Sequence, residues 1–96
     1  MAEQSAEASP AAAHIGVTVR YFAAAKAAAG IESETLVVPT GTTVAELVKE
    51  LANRGTPLAT VLRRCSYLRD GFAVQDESSA LSAGDTVDVL PPFAGG

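Results

Sequence analysis

The chain has 96 residues, of which 48% are hydrophobic, and a formal net charge of −4 at pH 7. That length allows one small domain, and the acidic balance, with its basic residues scattered along the sequence, argues against a nucleic-acid-binding protein. A single cysteine, Cys65, excludes an internal disulfide and a multi-cysteine metal site, so no bound metal is expected.

The first segment of the chain, residues 1–13, consists almost entirely of small and polar residues without periodic apolar spacing. This composition predicts a disordered N-terminal arm, which leaves residues 14–90 as the folded domain. The arm lacks the positively charged start and apolar run of a secretion signal, and no apolar stretch approaches transmembrane length. A cytoplasmic location is therefore expected.

Residues 15–22 alternate in polarity and are rich in β-forming types, which predicts a first strand. One face of this strand carries Ile15, Val17, Val19 and Tyr21, and the other carries Gly16, Thr18, Arg20 and Phe22. Residues 23–29 are almost all alanine and end at Gly30, which predicts a short helix with a glycine C-cap.

The strongest helix signal follows a second predicted strand, residues 34–38. Thr43 and Glu46 have the spacing of a capping box, in which each side chain accepts a hydrogen bond from the other residue's backbone N–H. Apolar residues at helical spacing then form one face: Val44, Leu47, Val48 and Leu51. Gly55 and Pro57 stop this helix, and residues 58–64 are expected to add a helical turn or two.

The last third of the domain predicts three more strands. Residues 67–68 and 72–74 flank an Asp70-Gly71 step, which is a strong hairpin signal. A polar loop, residues 76–84, leads to a final strand at 86–90 whose valines share one face. Strands on both sides of a main helix predict an α+β fold, with that helix packed on one face of a sheet.

The C-terminal tail, residues 91–96, has an unusual composition. After the last strand it reads Pro91, Pro92, Phe93, Ala94, Gly95 and Gly96. The two prolines favour an extended conformation and cannot rejoin the sheet, and the final glycines place a carboxylate on a backbone narrow enough for a tight slot. We therefore interpret the carboxylate of Gly96 as the reactive group, with residues 91–95 as the segment that a partner binds.

A docking surface follows from the alternation of the strands. If the valines face the helix, Phe22 and Leu90 lie on the uncovered face, and Phe72 in the hairpin is expected to join them as an apolar interface. Arg20 and Asp88 share that face and are expected to pair across strands. Lys26 is a candidate contact for an acidic patch on a partner. The competing interpretation of the three apolar residues is edge or core packing.

Several motifs in residues 15–96 together resemble one family. They are Tyr21-Phe22-Ala23, Lys26, Gly30, Thr43-Val44, residues 81–87 and the ending Pro-Pro-x-x-Gly-Gly. The set resembles the MoaD/ThiS sulfur-carrier branch of the ubiquitin-like β-grasp family, most closely the small subunit of molybdopterin synthase. The resemblance implies a β-grasp fold with a mixed sheet. It also implies a non-catalytic, sulfur-donating subunit that binds no cofactor itself.

In this family the terminal carboxylate is adenylated by an ATP-using activating enzyme (MoeB type) and converted to a thiocarboxylate with sulfur from a sulfurtransferase. The resemblance thus implies a 1-thioglycine at Gly96. That sulfur is delivered to the dithiolene precursor of molybdopterin on the large synthase subunit (MoaE type), within a heterotetramer. Nucleic acid and membrane are not expected as partners.

Three other functions stay open from the sequence. A carrier for thiazole or cysteine biosynthesis would share the tail chemistry and differ in its acceptor. A ubiquitin-like protein modifier would form isopeptide bonds through Gly96, and a plain interaction module would have an inert tail. Cys65 invites a direct role in sulfur transfer, but a lone cysteine is more often a small packing residue.

Overall fold

A computed structural model of the chain describes residues 13–92. The predicted disordered arm, apart from Ala13, therefore lies outside the described residues. The last four positions of the predicted tail, residues 93–96, also lie outside them. Within residues 13–92, none of the helices has the length and apolar character needed to cross a bilayer.

Eight elements follow one another along the described chain. They are β1 (His14–Tyr21), α1 (Ala23–Ala29), β2 (Ser33–Pro39), α2 (Val44–Ala52), α3 (Thr56–Leu62), β3 (Ser66–Arg69), β4 (Phe72–Ala73) and β5 (Thr86–Leu90). All five predicted strands are present. The helical turn expected at residues 58–64 is a separate helix that begins earlier, because Pro57 lies in its first turn, where a missing N–H costs nothing.

The five strands form one mixed sheet in the order β2-β1-β5-β3-β4. The central strands β1 and β5 are parallel, with Val19 beside Val87, and the other pairs are antiparallel. The first and last strands of the chain are therefore neighbours in the middle of the sheet. This arrangement confirms the predicted α+β fold and has the strand pattern implied by the β-grasp resemblance.

The hydrophobic core lies between the sheet and the helices. Its buried members from the sheet are Val17, Val19, Tyr21, Val38, Tyr67, Val87 and Val89, and those from the helices are Ala25, Val44, Leu47, Leu51, Leu58 and Leu62. Leu81 anchors the long loop in the same core, as predicted. Two predicted core residues, Ile15 and Val48, are only partly buried at its margin.

The hairpin between β3 and β4 turns at Asp70 and Gly71, which both have positive φ, 49° and 89°. That pair of conformations is typical of a type I′ turn, in which glycine at the second position avoids a steric penalty. Asp70 also binds β5: its N–H donates to the Thr86 carbonyl at 2.8 Å, and its Oδ1 accepts from the Thr86 N–H at 2.9 Å. The hairpin is thereby held against the central strand.

The predicted capping box at the start of α2 is confirmed. The Glu46 N–H donates to Thr43 Oγ1 at 3.1 Å, and the Thr43 N–H donates to Glu46 Oε1 at 2.9 Å. Two backbone donors at the helix N-terminus are thus satisfied within four residues.

A polar cluster ties β1, β2 and the end of α2 together. The buried Tyr21 donates its hydroxyl to Glu34 Oε2 at 2.6 Å, and Arg54 forms an ion pair with the same carboxylate. Burial alone would raise the pKa of Glu34, but the hydrogen bonds from Arg54 and Tyr21 outweigh it and lower that pKa. Burial, together with Glu34, raises the pKa of Tyr21.

We expect Thr43→Ala to lower the free energy of unfolding by about 1 kcal/mol, because the Glu46 N–H loses its acceptor. Urea denaturation of both proteins measures the difference. Thr60→Ala is the matched control: Thr60 is exposed within α3, and its side chain makes no hydrogen bond among residues 13–92, so little change is expected. Equal stability of Thr43→Ala and wild type would contradict the capping role.

We expect Glu34→Gln to be less stable than wild type by about 1 kcal/mol at pH 7. Because folding lowers the pKa of Glu34, the stabilisation is present above its unfolded value of about 4.3 and is lost as the pH falls through the folded value. The two proteins should therefore converge in urea denaturation as the pH falls through the folded pKa of Glu34. Glu32→Gln, at an exposed neighbouring carboxylate, serves as control, and a difference independent of pH would contradict the assignment.

Candidate functional site: an open sheet face beside the tail

The face of the sheet that points away from the helices is defined by the pairing register. Arg20 on β1 pairs with Asp88 on β5, and Asp88 pairs with Leu68 on β3. Directly paired residues share a face of the sheet. Each of these three residues is adjacent, within its own strand, to a core residue that faces the helices, so it faces the opposite way. They therefore form one row across the side of the sheet that the helices leave uncovered. We call this side the open face.

Arg20 and Asp88 form the predicted cross-strand ion pair in the centre of the open face. Nε of Arg20 donates to Asp88 Oδ1 at 2.7 Å, and Nη2 donates to Oδ2 at 2.8 Å, so the contact is bidentate. The Asp88 side chain is 7% exposed and the Arg20 side chain 52%. The hydrogen bonds and charge of Asp88 raise the pKa of Arg20.

Phe22 lies directly after β1, at the edge of the same face, and is 37% exposed. Its ring centroid is 5.6 Å from the guanidinium carbon of Arg20, within range of a cation–π contact. The Phe22 N–H donates to the Val89 carbonyl at 3.2 Å, which holds it beside the end of β5. The expectation that Phe22 and Leu90 adjoin on the uncovered face agrees with this geometry.

Phe72 does not join them, which corrects the sequence-based expectation. It pairs with Arg69, and Arg69 pairs with the buried Val87, so Phe72 belongs to the side of the sheet that faces the helices. There it is 78% exposed and lines a small groove with Val44. The position of Phe72 follows from the two-residue turn, because that turn sets the register of β4 against β3. A register shift of one residue would move every side chain of β4 to the other face of the sheet.

Leu68 is an open-face residue that sequence reasoning missed, and Val37, which pairs with Gly16 of β1, is another. Leu68 lies half-buried beside Asp88 and opposite Ala73, and so extends the apolar surface from Leu90 toward β4. The sequence contained a signal for this placement of Leu68. Tyr67 is an evident core residue, and in a strand the next side chain points to the opposite face.

Lys26 lies next to this surface on α1. Its N–H donates to the Phe22 carbonyl at 3.3 Å, and its exposed side chain lines a shallow depression together with Arg20 and Phe22. Lys26 is therefore placed where it could contact a partner that covers the open face.

The tail leaves the sheet at the edge of the open face. β5 ends at Leu90, Pro91 is half-buried and Pro92 is exposed, and neither proline belongs to a strand. Phe93, Ala94, Gly95 and Gly96 lie outside the described residues. Six residues from Pro91 onward span at most about 20 Å when extended, which is enough to reach from this edge into a pocket of a docked partner.

Cys65 has the surroundings of a packing residue. It is half-buried, and its Sγ donates to the Val61 carbonyl at 3.3 Å. Burial raises the pKa of the Cys65 thiol, which reduces the nucleophilic thiolate fraction at neutral pH. Across residues 13–92, no three His, Cys, Asp or Glu side chains cluster as a metal site would require.

Comparison with known proteins identifies the family. The sequence pattern of the ThiS family matches residues 19–96. The chain belongs to the ThiS family. It is also 33% identical, over 82 residues, to the human molybdopterin synthase sulfur carrier subunit, a match that covers 83% of this chain and 93% of the human protein.

Solved structures with the same fold include two from Haloferax volcanii. The HVO 2177 protein is 29% identical with a TM-score of 0.77, and the match covers 88% of this chain and 89% of that one. SAMP1 is 25% identical with a TM-score of 0.73, and the match covers 84% of this chain and 99% of that one. These relatives confirm the β-grasp fold and membership of the MoaD/ThiS group, and the human relative supports a sulfur-carrier role.

Proposed function

We propose that this protein is the small, sulfur-carrying subunit of a molybdopterin synthase and that the carboxylate of Gly96 is its working group. The observation that supports this most is the placement of the tail. A Pro-Pro-x-x-Gly-Gly sequence follows β5 directly, at the edge of an open face with apolar residues. The similarity to the human sulfur carrier subunit over most of both chains points the same way.

The proposed chemistry begins with a group that is unreactive by itself. A C-terminal carboxylate has a pKa of about 3.5, so it is ionised at neutral pH and is a poor electrophile. Attack of this carboxylate on the α-phosphate of ATP forms an acyl adenylate and releases pyrophosphate. A persulfide sulfur of a sulfurtransferase then displaces AMP and forms an acyl disulfide. A second thiol cleaves its S–S bond, is itself oxidised to a disulfide with the sulfurtransferase, and releases the thiocarboxylate of Gly96, a 1-thioglycine.

The carrier's part in these steps is to present its end. The prolines keep the tail extended and out of the sheet, and Gly95 and Gly96 allow a partner's backbone to approach closely. An activating enzyme of the MoeB type supplies ATP binding. A large subunit of the MoaE type binds the dithiolene precursor that accepts the sulfur, and two carriers with two large subunits form the heterotetramer.

The open face is the proposed docking surface for these partners. Phe22 and Leu90 provide apolar contact at the edge from which the tail departs, Leu68 extends that contact, and Lys26 lies beside it. A partner bound there would hold the tail at a constant distance from its own active site. Binding energy from the open face would thus be used to orient the reacting carboxylate.

Protein modification is the second candidate function. The Haloferax volcanii neighbour SAMP1 shares the fold at 25% identity, and homologous structures are named small archaeal modifier protein 1. A modifier would use the same adenylated Gly96 but transfer its acyl group to a lysine amine. A carrier for thiazole or cysteine biosynthesis would differ only in the acceptor of the sulfur.

Intact-mass analysis after incubation with the activating enzyme, ATP and a sulfur donor separates these classes. We expect a mass gain equal to replacement of one oxygen by sulfur, confined to the C-terminal peptide. Conjugates through lysine would indicate a modifier, and an unchanged mass in the presence of an active activating enzyme would contradict both. Transfer of the sulfur to the precursor on the large subunit then selects the molybdopterin pathway among the carriers.

We expect deletion of Gly96, or addition of a C-terminal tag, to abolish thiocarboxylate formation without change in thermal unfolding, because the reactive carboxylate is removed or displaced. Gly95→Ala should slow the reaction, since a Cβ narrows the fit of the tail. The same tag at the N-terminus is the control. Normal sulfur transfer from the C-terminally tagged protein would contradict the tail mechanism.

We expect Phe22→Asp to weaken binding of the large subunit by about tenfold or more, because a charge replaces an apolar contact, while the carrier stays folded. Titration calorimetry measures the affinity and circular dichroism the fold. Phe72→Asp is the matched control: an equally drastic change at a more exposed phenylalanine on the other side of the sheet should leave binding unchanged. Unfolding of Phe22→Asp would show that Phe22 is a core residue.

A further inference from the structure

The guanidinium of Arg20 has partners on two sides although half of its side chain is exposed. Asp88 binds Nε and Nη2, and the Phe22 ring lies 5.6 Å from the guanidinium carbon. Nη1 and the second N–H of Nη2 make no hydrogen bond within residues 13–92. A planar donor fixed on two sides loses little conformational entropy when it forms a further bond, which is a property of preorganised interface contacts.

The surroundings of this donor restrict what can cover it. Phe22 lies at one end of the Arg20–Asp88 pair, Leu68 lies beside Asp88, and Leu90 is the next open-face residue of β5. A partner that packs on these apolar side chains removes water from the free N–H groups of Arg20. A buried donor left without an acceptor is costly, so a well-fitting partner must present an oxygen at this point.

The charge of the pair indicates the type of oxygen. Asp88 already balances the positive charge of Arg20 in a bidentate contact, and its side chain is almost fully buried. The depression beside Arg20 is also lined by one further basic and one further acidic side chain, Lys26 and Glu32, whose charges balance. A second carboxylate at Arg20 would therefore leave one uncompensated negative charge under the partner, which is unfavourable in a region of low dielectric. A backbone carbonyl or side-chain amide oxygen satisfies the N–H groups without that penalty.

We propose that Arg20, oriented by Asp88 and Phe22, is a specificity-determining contact of the open face that donates to an uncharged acceptor oxygen of the large synthase subunit. This inference rests on the proposed function and deepens it, because it adds an oriented polar donor to the apolar contacts of Phe22, Leu68 and Leu90. The proposal excludes a partner that presents only apolar atoms opposite the Arg20 guanidinium.

The test uses the full-length carrier and its large subunit, with affinity measured by titration calorimetry at low and high salt. The double variant Arg20→Met/Asp88→Val replaces the pair by apolar side chains and leaves the net charge unchanged, so long-range electrostatics stay constant. Arg54→Met/Glu34→Gln is the matched control, since it removes a different arginine–carboxylate ion pair, also without change in net charge, away from the open face.

We expect the double variant on the open face to bind about tenfold to hundredfold more weakly than wild type, because the partner's oxygen loses its donor. The loss should be the same at both salt concentrations, and the control pair should bind normally. Arg20→Lys, which keeps a cation beside Asp88, should also bind more weakly, since an ammonium lacks the planar fork. It provides the test if the double variant does not fold.

Equal or tighter binding of the large subunit by the folded Arg20→Met/Asp88→Val protein would overturn the proposed contact of Arg20. Apolar side chains alone would then be enough for binding. A loss that shrinks strongly at high salt would overturn the uncharged acceptor and point to a partner carboxylate. Absence of binding by wild type itself would instead overturn the proposed function, and the inference with it. The two failures are therefore distinguishable.

Discussion

The parallel pairing of β1 with β5 is the contact on which the rest of the structure depends. It joins the two ends of the domain at the centre of the sheet, with Val19 beside Val87 facing the helices. The same register places Arg20 beside Asp88 on the opposite side. Because β5 is paired on both sides and runs directly into Pro91, the tail departs from the centre of the sheet.

The two sides of this sheet have separate roles. The helix side buries the apolar residues that stabilise a small domain, with Leu47 and Leu51 of α2 among its fully buried members. None of the three described helices covers the open face, and an ion pair lies at its centre. A buried carboxylate such as Asp88 is tolerated because Arg20 neutralises it in a bidentate contact.

In the proposed function, the chemistry takes place on partner proteins. The one described thiol, Cys65, is half-buried and has a raised pKa, and the described residues offer no cluster of groups that could hold a metal. The proposal assigns ATP, the sulfur source and the acceptor to partners, and it assigns orientation of the tail to this domain.

The sequence by itself determined the local elements, because these depend on neighbouring residues, and it is also the source of the proposal for the tail. The capping box at Thr43, the turn at Asp70-Gly71 and the proline-glycine ending are all patterns within a few positions. Strand alternation was also sufficient to place Phe22 on the uncovered face and to anticipate the pairing of Arg20 with Asp88.

Only the tertiary structure decided which side Phe72 and Leu68 occupy. In strands of two and four residues, alternation is too short to define a face, and the face depends on the register set by a two-residue turn and by pairing with β5. The fixed orientation of the Arg20 guanidinium likewise depends on three side chains brought together across two strands that are distant in sequence, which no local pattern encodes.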